Sequence, residues 1–201
     1  MIVRAVFLVI ILSGLAIGSF GVLSIVPGEK RFKMDEYNTL EQGWRLQNPL
    51  VKQHLYGRLE GRGDVDYVTF TLATPTPVTI SIKNPAGDAG FEPTIILFGP
   101  GLPIPNENPP IAIGEPNGAI VSKTIRDKQR PIFEPSELTT YLTGPTIRAD
   151  LKKAGTYAVA IVTPSGEPGR YVLTIGSGAG QGIMDQIREI PPTVKALLRL
   201  Y

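Results

Sequence analysis

The stretch GRLEGRGDVDYVTFTL, residues 57–72, decides the fold of this chain. Its first half is a glycine-rich turn, and in its second half Val68, Phe70 and Leu72 alternate with threonines. An alternation of apolar and polar residues with a period of two is typical of a β-strand that is buried on one face. The stretch therefore predicts a turn that leads into a strand of a packed sheet.

The composition fits one domain of ordinary size with appendages. The chain has 201 residues, of which 42% are apolar, enough for a real core. Its 22 glycines and 19 prolines mark many turns, as an all-β fold needs. The net charge of +2, with both signs mixed along the chain, argues against a nucleic-acid surface. The absence of cysteine excludes disulfides, thiolate metal sites and lipidation at a cysteine.

Further β-patterns lie on both sides of the opening stretch. Residues 74–77 and 84–88 read as turns, because each contains proline, which lacks an N–H for the ladder. A proline-rich segment, residues 99–135, is longer than loops usually are unless they have a function. The predicted strands are residues 51–59, 78–82 and 95–98, with a short one at 118–123.

The second clear feature is a pair of alternating segments near the carboxyl end. Residues 154–162 place Tyr157, Val159 and Ile161 on one face, and residues 169–175 repeat the pattern after a turn containing two prolines. The sequence predicts a hairpin whose apolar face must pack on another sheet.

Residues 5–26 form an apolar run without a charge, AVFLVIILSGLAIGSFGVLSIV. As a helix at ~1.5 Å per residue the run would be ~33 Å long, enough to cross a bilayer. A cleaved signal peptide is the alternative, with Ala16-Ile17-Gly18 as its cleavage site, but apolar residues continue beyond it. We therefore expect a single-pass anchor in residues 1–27.

Two observations oppose each other on the orientation of this anchor. Three basic residues, Lys30, Arg31 and Lys33, follow the run and only Arg4 precedes it, so a count of basic residues places the chain inside the cell. Against this count, a β-rich domain behind a signal-like segment is usually exported. We expect the domain on the extracytoplasmic face of the membrane, at the cell surface or in the periplasm.

Two segments outside the predicted sandwich carry apolar residues suited to a membrane or a partner. Residues 28–49 form a polar connector with the only tryptophan. Residues 177–201 form a glycine-rich break and an amphipathic helix, interrupted by a proline pair and too short to span a bilayer. The helix could lie on the bilayer, on its own sandwich or on a partner subunit. The predicted contact residues are Trp44, Ile187, Ile190, Val194, Leu197, Leu198 and Tyr201.

Three motifs together resemble a bacterial family. They are GRL at 57–59 followed by GDVDYVTF at 63–70, LKKAGTYAV at 151–159, and GRYVLTI at 169–175. In this order they resemble the bacterial pre-peptidase C-terminal domain, a jelly-roll-like β-sandwich. Members are mostly accessory domains of secreted proteases and other exported proteins, so the resemblance implies fold and export without catalysis.

We therefore predict an all-β protein: a jelly-roll-like antiparallel β-sandwich over residues 50–176, between an N-terminal transmembrane helix and a C-terminal amphipathic helix. The long proline-rich loop departs from the family pattern. So does the position of the module between a membrane span and a helix. These departures favour a membrane-tethered accessory protein.

Asp64 and Asp66 are the candidate metal ligands. Oxygen ligands at positions i and i+2 of a turn suit Ca²⁺, but a full site needs about six oxygens, and only Glu60, Asp88 and Asp150 are candidates to complete it. The alternative interpretation is that Asp66 caps turn amides at the start of the strand. Calcium is the one cofactor that the sequence suggests.

No catalytic constellation stands out. His54 is the only histidine, and a hydrolase would have to combine it with Ser122 or Ser165 without a nucleophile elbow. One histidine cannot form an ordinary zinc site. The glycine-rich residues 176–180 lack the lysine of a phosphate-binding loop. We predict that the protein is not an enzyme.

The leading functional hypothesis is a membrane-anchored accessory or assembly subunit that binds protein partners. A second hypothesis is a binding module for a glycan or another extracellular polymer, which an exposed row of Trp44, Tyr56, Tyr67 and Tyr141 would support. A pilin-like filament subunit ranks last, because the apolar run lacks the basic leader and the early acidic residue that pilins use.

Overall fold

A computed structural model describes residues 31–34, 37–105, 108–114, 118–135 and 137–176, with only the strand pairing for the first of these ranges. The described residues form two packed β-sheets, with two short 3₁₀ turns and no α-helix among them. The strands are β1 (Arg31–Met34), β2 (Trp44–Leu46), β3 (Gln53–Leu59), β4 (Val65–Leu72), β5 (Thr76–Pro85), β6 (Thr94–Gly99), β7 (Gly118–Lys123), β8 (Pro131–Glu134), β9 (Thr139–Leu151), β10 (Gly155–Val162) and β11 (Gly169–Gly176).

The strands divide into a six-stranded sheet I and a five-stranded sheet II. Sheet I has the order β1-β3-β11-β5-β9-β8, and sheet II has the order β2-β4-β10-β6-β7. The predicted all-β sandwich is thus confirmed. Its pairing is antiparallel except at one edge of each sheet, where β1 joins β3 and β2 joins β4 in parallel. Both parallel strands come from residues 28–49, the predicted connector, so the folded unit begins before the predicted boundary at residue 50.

The core lies between the sheets and follows the alternation of the sequence. In sheet II, Val159 pairs with Val68 on one side and with Leu97 on the other, and all three side chains are fully buried. Leu55 and Leu173 make the corresponding pair in sheet I. Burying each such side chain contributes about 1.5–3 kcal/mol, so this layer supplies much of the stability.

The predicted C-terminal hairpin is wrong. β10 lies in sheet II between β4 and β6, whereas β11 lies in sheet I between β3 and β5. The connection contains Pro164 and Pro168, which have no N–H to extend a ladder. The apolar faces of the two strands therefore meet across the core instead of side by side.

The proline-rich segment covers the outer face of sheet II. Ile111 and Ile113 are half-buried against an apolar cluster on that face, which includes Ile96 and Phe98 of β6. The Ala119 amide donates to the Pro103 carbonyl oxygen at 2.8 Å and holds the segment beside β7. The predicted short strand at 118–123 is confirmed as β7, and β8 is a second strand that the sequence did not predict.

Other local predictions differ by a few residues or lie outside the description. β5 begins at Thr76 and pairs Pro77 with Asp150, so the predicted turn at 74–77 ends earlier than expected. The predicted membrane anchor, residues 1–27, and the predicted tail helix within 177–201 fall outside the described residues. The described part of the chain contains no helix long and apolar enough to cross a membrane.

Candidate functional site

Two of the sequence motifs meet inside the sandwich. Tyr171 of β11 is fully buried, lies directly over Gly57 of β3, and donates its hydroxyl hydrogen to the carboxylate of Asp66 in β4. A Cβ at position 57 would come within 2.8 Å of Tyr171 Cε1, so only glycine leaves room for the ring. The pair Asp66–Tyr171 joins the two sheets and closes one end of the core.

The two candidate calcium ligands have separate tasks. Asp64 Oδ2 accepts a hydrogen bond from the Glu60 amide at 2.7 Å and closes the glycine-rich turn, whereas Asp66 points into the core toward Tyr171. We predicted that Asp66 caps amides of this turn. At the Glu60 amide, the capping hydrogen bond is made by Asp64. Among the residues that the structure describes, no three Asp, Glu or His side chains are close enough to share a metal ion.

A groove of about 1070 Å³ runs over this end of the molecule. We call it the tyrosine groove, because Tyr56, Tyr141 and Tyr171 contribute to its lining. It crosses β3, β11 and the end of β5, and the segment that enters β9 forms its far wall. The remaining lining residues are Asn38, Gly57, Arg58, Glu60, Asp64, Asp66, Pro85, Ala86, Gly87, Glu137, Leu138, Thr139, Thr140, Arg170 and Val172.

Glu137 is fixed over the outer face of sheet I by two tyrosines. Tyr56 donates its hydroxyl hydrogen to Glu137 Oε1 at 2.7 Å, and Tyr141 donates to Oε2. Tyr56 lies on β3 and Tyr141 lies on β9. Glu137 therefore links two strands that are separated in sheet I by β11 and β5. Lys83 lies beside them, with its Nζ 4.2 Å from the Tyr141 ring centre and 3.3 Å from Glu134 Oε2.

The two arginines of the groove each contact a carboxylate of the protein. Arg58 Nε lies 3.2 Å from Glu60 Oε1, and Arg170 Nε lies 3.1 Å from Asp88 Oδ2. Asp88 Oδ2 also accepts a hydrogen bond from the Arg170 amide at 3.0 Å. The side-chain hydrogen bond from Arg170 holds the pKa of Asp88 below its ordinary value.

Next to the groove, β8 and its connection to β9 present apolar side chains at the edge of sheet I, and no strand in the described part of the chain lies beyond β8. We call Ile132, Phe133 and Leu138 the hairpin edge. Their exposed fractions are 47%, 58% and 83%. Leu138 has a φ of 50°, the one positive value for a residue other than glycine in the described part of the chain. Such a conformation costs roughly 1–2 kcal/mol, so the turn holds an exposed leucine at a cost to stability.

The backbone at this edge follows from the pairing of β8 with β9. The Thr143 amide donates to the Arg130 carbonyl oxygen at 2.9 Å, which makes residues 130 and 143 a bonded pair. Bonded and non-bonded pairs alternate in an antiparallel ladder, so Phe133, which pairs with Thr140, directs its N–H and C=O away from β9. Pro131 and Glu134 flank this position and limit the length of edge that another strand can join.

The residues considered for catalysis have other partners. His54 Nδ1 lies 3.0 Å from Thr174 Oγ1, on the outer face of sheet I. Ser122 donates to the Thr146 carbonyl oxygen, and Ser165 pairs with Thr163 in the β10–β11 connection. The fold therefore does not bring His54 to either serine.

The four aromatic residues that a glycan platform would need are divided between the sheets. Trp44 and Tyr67 lie in sheet II and are half-buried, and Trp44 packs edge-on against Tyr37 with ring centres 5.3 Å apart. Tyr56 and Tyr141 lie in sheet I, where both bond to Glu137. They form no exposed row. Of the predicted contact residues, Trp44 packs within the domain, and the six in the tail fall outside the described residues.

Glu137 and the hairpin edge were not among the residues predicted from the sequence. The signal for the edge was the pair Ile132-Phe133 between two prolines, within the segment that we treated as irregular. No local signal marks Glu137, because its tyrosine partners include Tyr56, 81 residues earlier in the chain.

No protein-family model matches this chain, and no curated protein matches it. Among solved structures, the pre-peptidase C-terminal domain of a collagenase from Bacillus anthracis is similar, with 16% identity over 66% of this chain and 93% of that chain and a TM-score of 0.37. The secreted copper-binding protein MopE of Methylococcus capsulatus is also found, with 12% identity over 56% of this chain and 69% of that chain and a TM-score of 0.28. The first of these structures is a member of the family that the sequence motifs resemble.

Proposed function

We propose that this protein is a non-catalytic accessory module that binds a partner protein at the hairpin edge. The observation that carries the proposal is the exposure of Phe133 and Leu138 at the edge of sheet I, where none of the described strands covers β8. Large apolar side chains at an open edge are a known hazard for aggregation, and proteins usually cover or charge them. Their presence here is explained if a partner covers them.

The mode of binding follows from the backbone of β8. A partner strand that adds to this edge bonds to the N–H and C=O of Phe133 and packs its side chains against the hairpin edge. Because Pro131 and Glu134 flank Phe133, the joined stretch is short, which favours one defined partner over open-ended association of sheets.

We also propose that the module is held at the extracytoplasmic face of a membrane. The support is the apolar run of residues 5–26, long enough for a bilayer span, directly before the sandwich. The domain has no cysteine, so it forms no disulfide in an oxidising compartment. Its stability therefore comes from the two-sheet core. Tethering beside a membrane raises the effective concentration of the module for a partner in the same membrane.

The test is to purify the full chain from its native membrane in mild detergent, with two matched variants. The wild type should co-purify with one defined protein, because the partner covers the edge. Ile132→Lys should co-purify with at least about tenfold less of that partner, because burying a lysine in an apolar contact is costly. Ile104→Lys changes an isoleucine that is 88% exposed elsewhere and should keep the partner. A wild type that runs alone, or equal retention by both variants, would contradict the proposal.

A further inference from the structure

The chain enters and leaves the sandwich at the same end of sheet I. Strand β1 begins at Arg31, which pairs with His54 at the start of β3. His54 pairs in turn with Thr174, and β11 ends shortly after it at Gly176. The segment before β1 and the segment after β11 therefore connect to the sandwich close to each other.

The segment before β1 is too short to let this end move far from a bilayer. The apolar run that we propose as the membrane anchor ends at Val26, and only residues 27–30 separate it from β1. Four residues extend over at most roughly 14 Å, at ~3.3–3.6 Å per residue. With the proposed anchor, on which this inference rests, the strand ends around Arg31 lie at the membrane surface.

The connections between strands at this end carry three lysines. The connection before β3 contains Lys52, and the β9–β10 connection contains Lys152 and Lys153. All three are exposed, and none forms an ion pair with another residue that the structure describes. Residues 73–75 and 100–103, which follow β4 and β6 at the same end, contain no charged residue. We call this basic surface the lysine end.

Neighbouring charges do not offset the lysines. Asp150 is the nearest carboxylate along the chain, and it shares its face of β9 with Arg148. The linker of residues 27–30 contains one acidic and one basic residue, and residues 177–201 contain two acidic and three basic residues. The excess of positive charge at this end therefore remains when the segments that join it are counted.

The backbone of the lysine end is held in place. Tyr157 Oη lies 2.7 Å from the Lys153 carbonyl oxygen and 2.9 Å from that of Pro100, so the β9–β10 connection is fixed to the loop after β6. Leu50, two residues before Lys52, has 49% of its surface exposed. Exposed apolar side chains beside basic ones are typical of protein segments that lie in the membrane interface.

We propose that the lysine end lies on the membrane and binds anionic lipid headgroups through Lys52, Lys152 and Lys153. Each basic side chain close to an anionic membrane strengthens binding by about fivefold. A lipid surface suits these lysines better than one small anion, because they lie on two separate connections that the short linker holds beside the bilayer.

This orientation turns the hairpin edge away from the membrane. Strand β9 has 13 residues and runs from Thr139, beside the hairpin edge, to Leu151, beside Lys152. At ~3.3 Å per residue the two places are roughly 40 Å apart along the strand. Lipid contact and partner binding therefore use opposite ends of the molecule.

The test is fluorescence quenching of the full chain in vesicles that contain a neutral lipid with a nitroxide on its headgroup. Because the chain has no cysteine, Ala154→Cys places a single dye beside Lys153, and Ser165→Cys places it at the opposite end. Both positions are exposed. In vesicles with about 30% phosphatidylglycerol, the dye at 154 should be quenched at least about threefold more than the dye at 165. Pure phosphatidylcholine, or NaCl raised from about 50 to 500 mM, should reduce this difference.

Two charge variants locate the contact. The first replaces all three lysines of the lysine end by glutamine, and its quenching at 154 in the anionic vesicles should fall to the level seen in phosphatidylcholine. The matched variant removes the same charge at the opposite end and should keep the wild-type quenching. It replaces three exposed basic residues by glutamine: Arg62, Lys128 and Arg130.

Equal quenching of the two dyes in anionic vesicles would overturn the proposed orientation. Unchanged quenching in the lysine variant, or an equal loss in the matched variant, would overturn the binding of headgroups. Full reversal by about 10 mM inorganic phosphate at constant ionic strength would assign the lysines to a soluble anion instead, because so little salt leaves a lipid surface contact largely unscreened.

Extraction with alkaline carbonate separates a failure of this inference from a failure of the anchor. A chain that stays in the vesicles without lysine-dependent quenching keeps the anchor and overturns the role of the lysine end. A chain released from both kinds of vesicle contradicts the anchor and this inference with it. Ile132→Lys, the variant designed for the hairpin edge, should show the wild-type quenching, so loss of the partner protein is a separate result.

Discussion

At the scale of single residues, the contact of Gly57 with Tyr171 and Asp66 explains why the glycine-rich turn and the last strand belong together. Tyr171 covers the glycine and bonds to Asp66 on the opposite sheet. Leaving a buried carboxylate without its hydrogen-bond donor costs the fold about 1–3 kcal/mol of stability. The three residues therefore act as one structural unit. The same unit forms the floor of the tyrosine groove.

Gly57→Ala should destabilise the fold by about 1–3 kcal/mol, because its Cβ overlaps the Tyr171 ring. The measurement is chemical denaturation followed by fluorescence, compared with Gly90→Ala, where nothing lies within 4 Å of an added Cβ. Gly90→Ala should stay within about 0.5 kcal/mol of the wild type. Similar stabilities for the two variants would contradict the packing described for Tyr171.

The pair Asp88–Arg170 predicts a pH dependence of stability. The pKa of Asp88 is lower in the folded protein, and the side-chain hydrogen bond from Arg170 is the main cause. Such a carboxyl stabilises the fold above its unfolded pKa of ~3.9 and loses this contribution as the pH falls through its folded value.

In the Asp88→Asn variant, the free energy of unfolding should therefore fall less steeply than in the wild type between about pH 5 and pH 2. The difference should be at most ~1 kcal/mol, because the Arg170 side chain is 62% exposed and solvent screens the pair. Arg170→Gln should flatten the curve in the same way. Curves for both variants that run parallel to the wild type would show that the pair has no such role.

The sequence indicated which residues of the motifs are structural, but not their partners. The motif aspartates and Tyr171 stood out locally, whereas the Asp66–Tyr171 contact joins residues 105 positions apart. The sequence did not show that Asp64 bonds to the Glu60 amide while Asp66 bonds to Tyr171. Asp66 falls on the face turned to the core, and Asp64 precedes the strand.

At the scale of elements, the proline-rich segment acts as a cover for sheet II. Ile111 and Ile113 pack on the outer face of a strand, β6, that is buried along its whole length. This explains why residues 95–98 read as a continuous apolar run instead of an alternation. The length of the loop thus has a structural cause.

Ile111→Ser should destabilise the protein by about 1–2 kcal/mol and increase binding of a hydrophobic dye, because it removes part of this cover. Ile104→Ser, in the same segment but 88% exposed, should change neither quantity. Thermal unfolding and dye fluorescence measure the two effects. Equal effects at both positions would mean that the segment does not protect sheet II.

Local patterns located β3 to β7, β10 and β11, but they did not predict β1, β8 or β9, the longest strand, and they did not predict which strands pair. The alternation in residues 155–162 and 169–176 located β10 and β11, yet it could not show that they lie in different sheets. Adjacent strands in sequence usually pair, and only the packing of two apolar faces decides otherwise. β8 was not predicted because its four residues, which start with Pro131 and are followed by Pro135, are too few to show a period.

At the scale of the whole molecule, two surfaces lie next to each other on sheet I. The hairpin edge is apolar and has backbone groups that point away from β9, and in the tyrosine groove Tyr56 and Tyr141 bond to Glu137. The described part of the chain shows no clustered metal ligands, and His54 and the candidate serines serve in separate contacts. The exposed apolar side chains of the hairpin edge support the proposal of a binding module, and the membrane anchor and the tail helix stay predictions from sequence.

The most direct test of partner binding is site-specific photo-crosslinking of the full chain in its native cells. A photoreactive residue at position 133 should give one discrete adduct with another protein, because the proposed partner strand lies against Phe133. The same residue at position 71, an exposed threonine of β4 in the other sheet, should give none. No adduct from position 133, or the same adduct from both positions, would contradict the central claim that the open edge of sheet I is the docking surface.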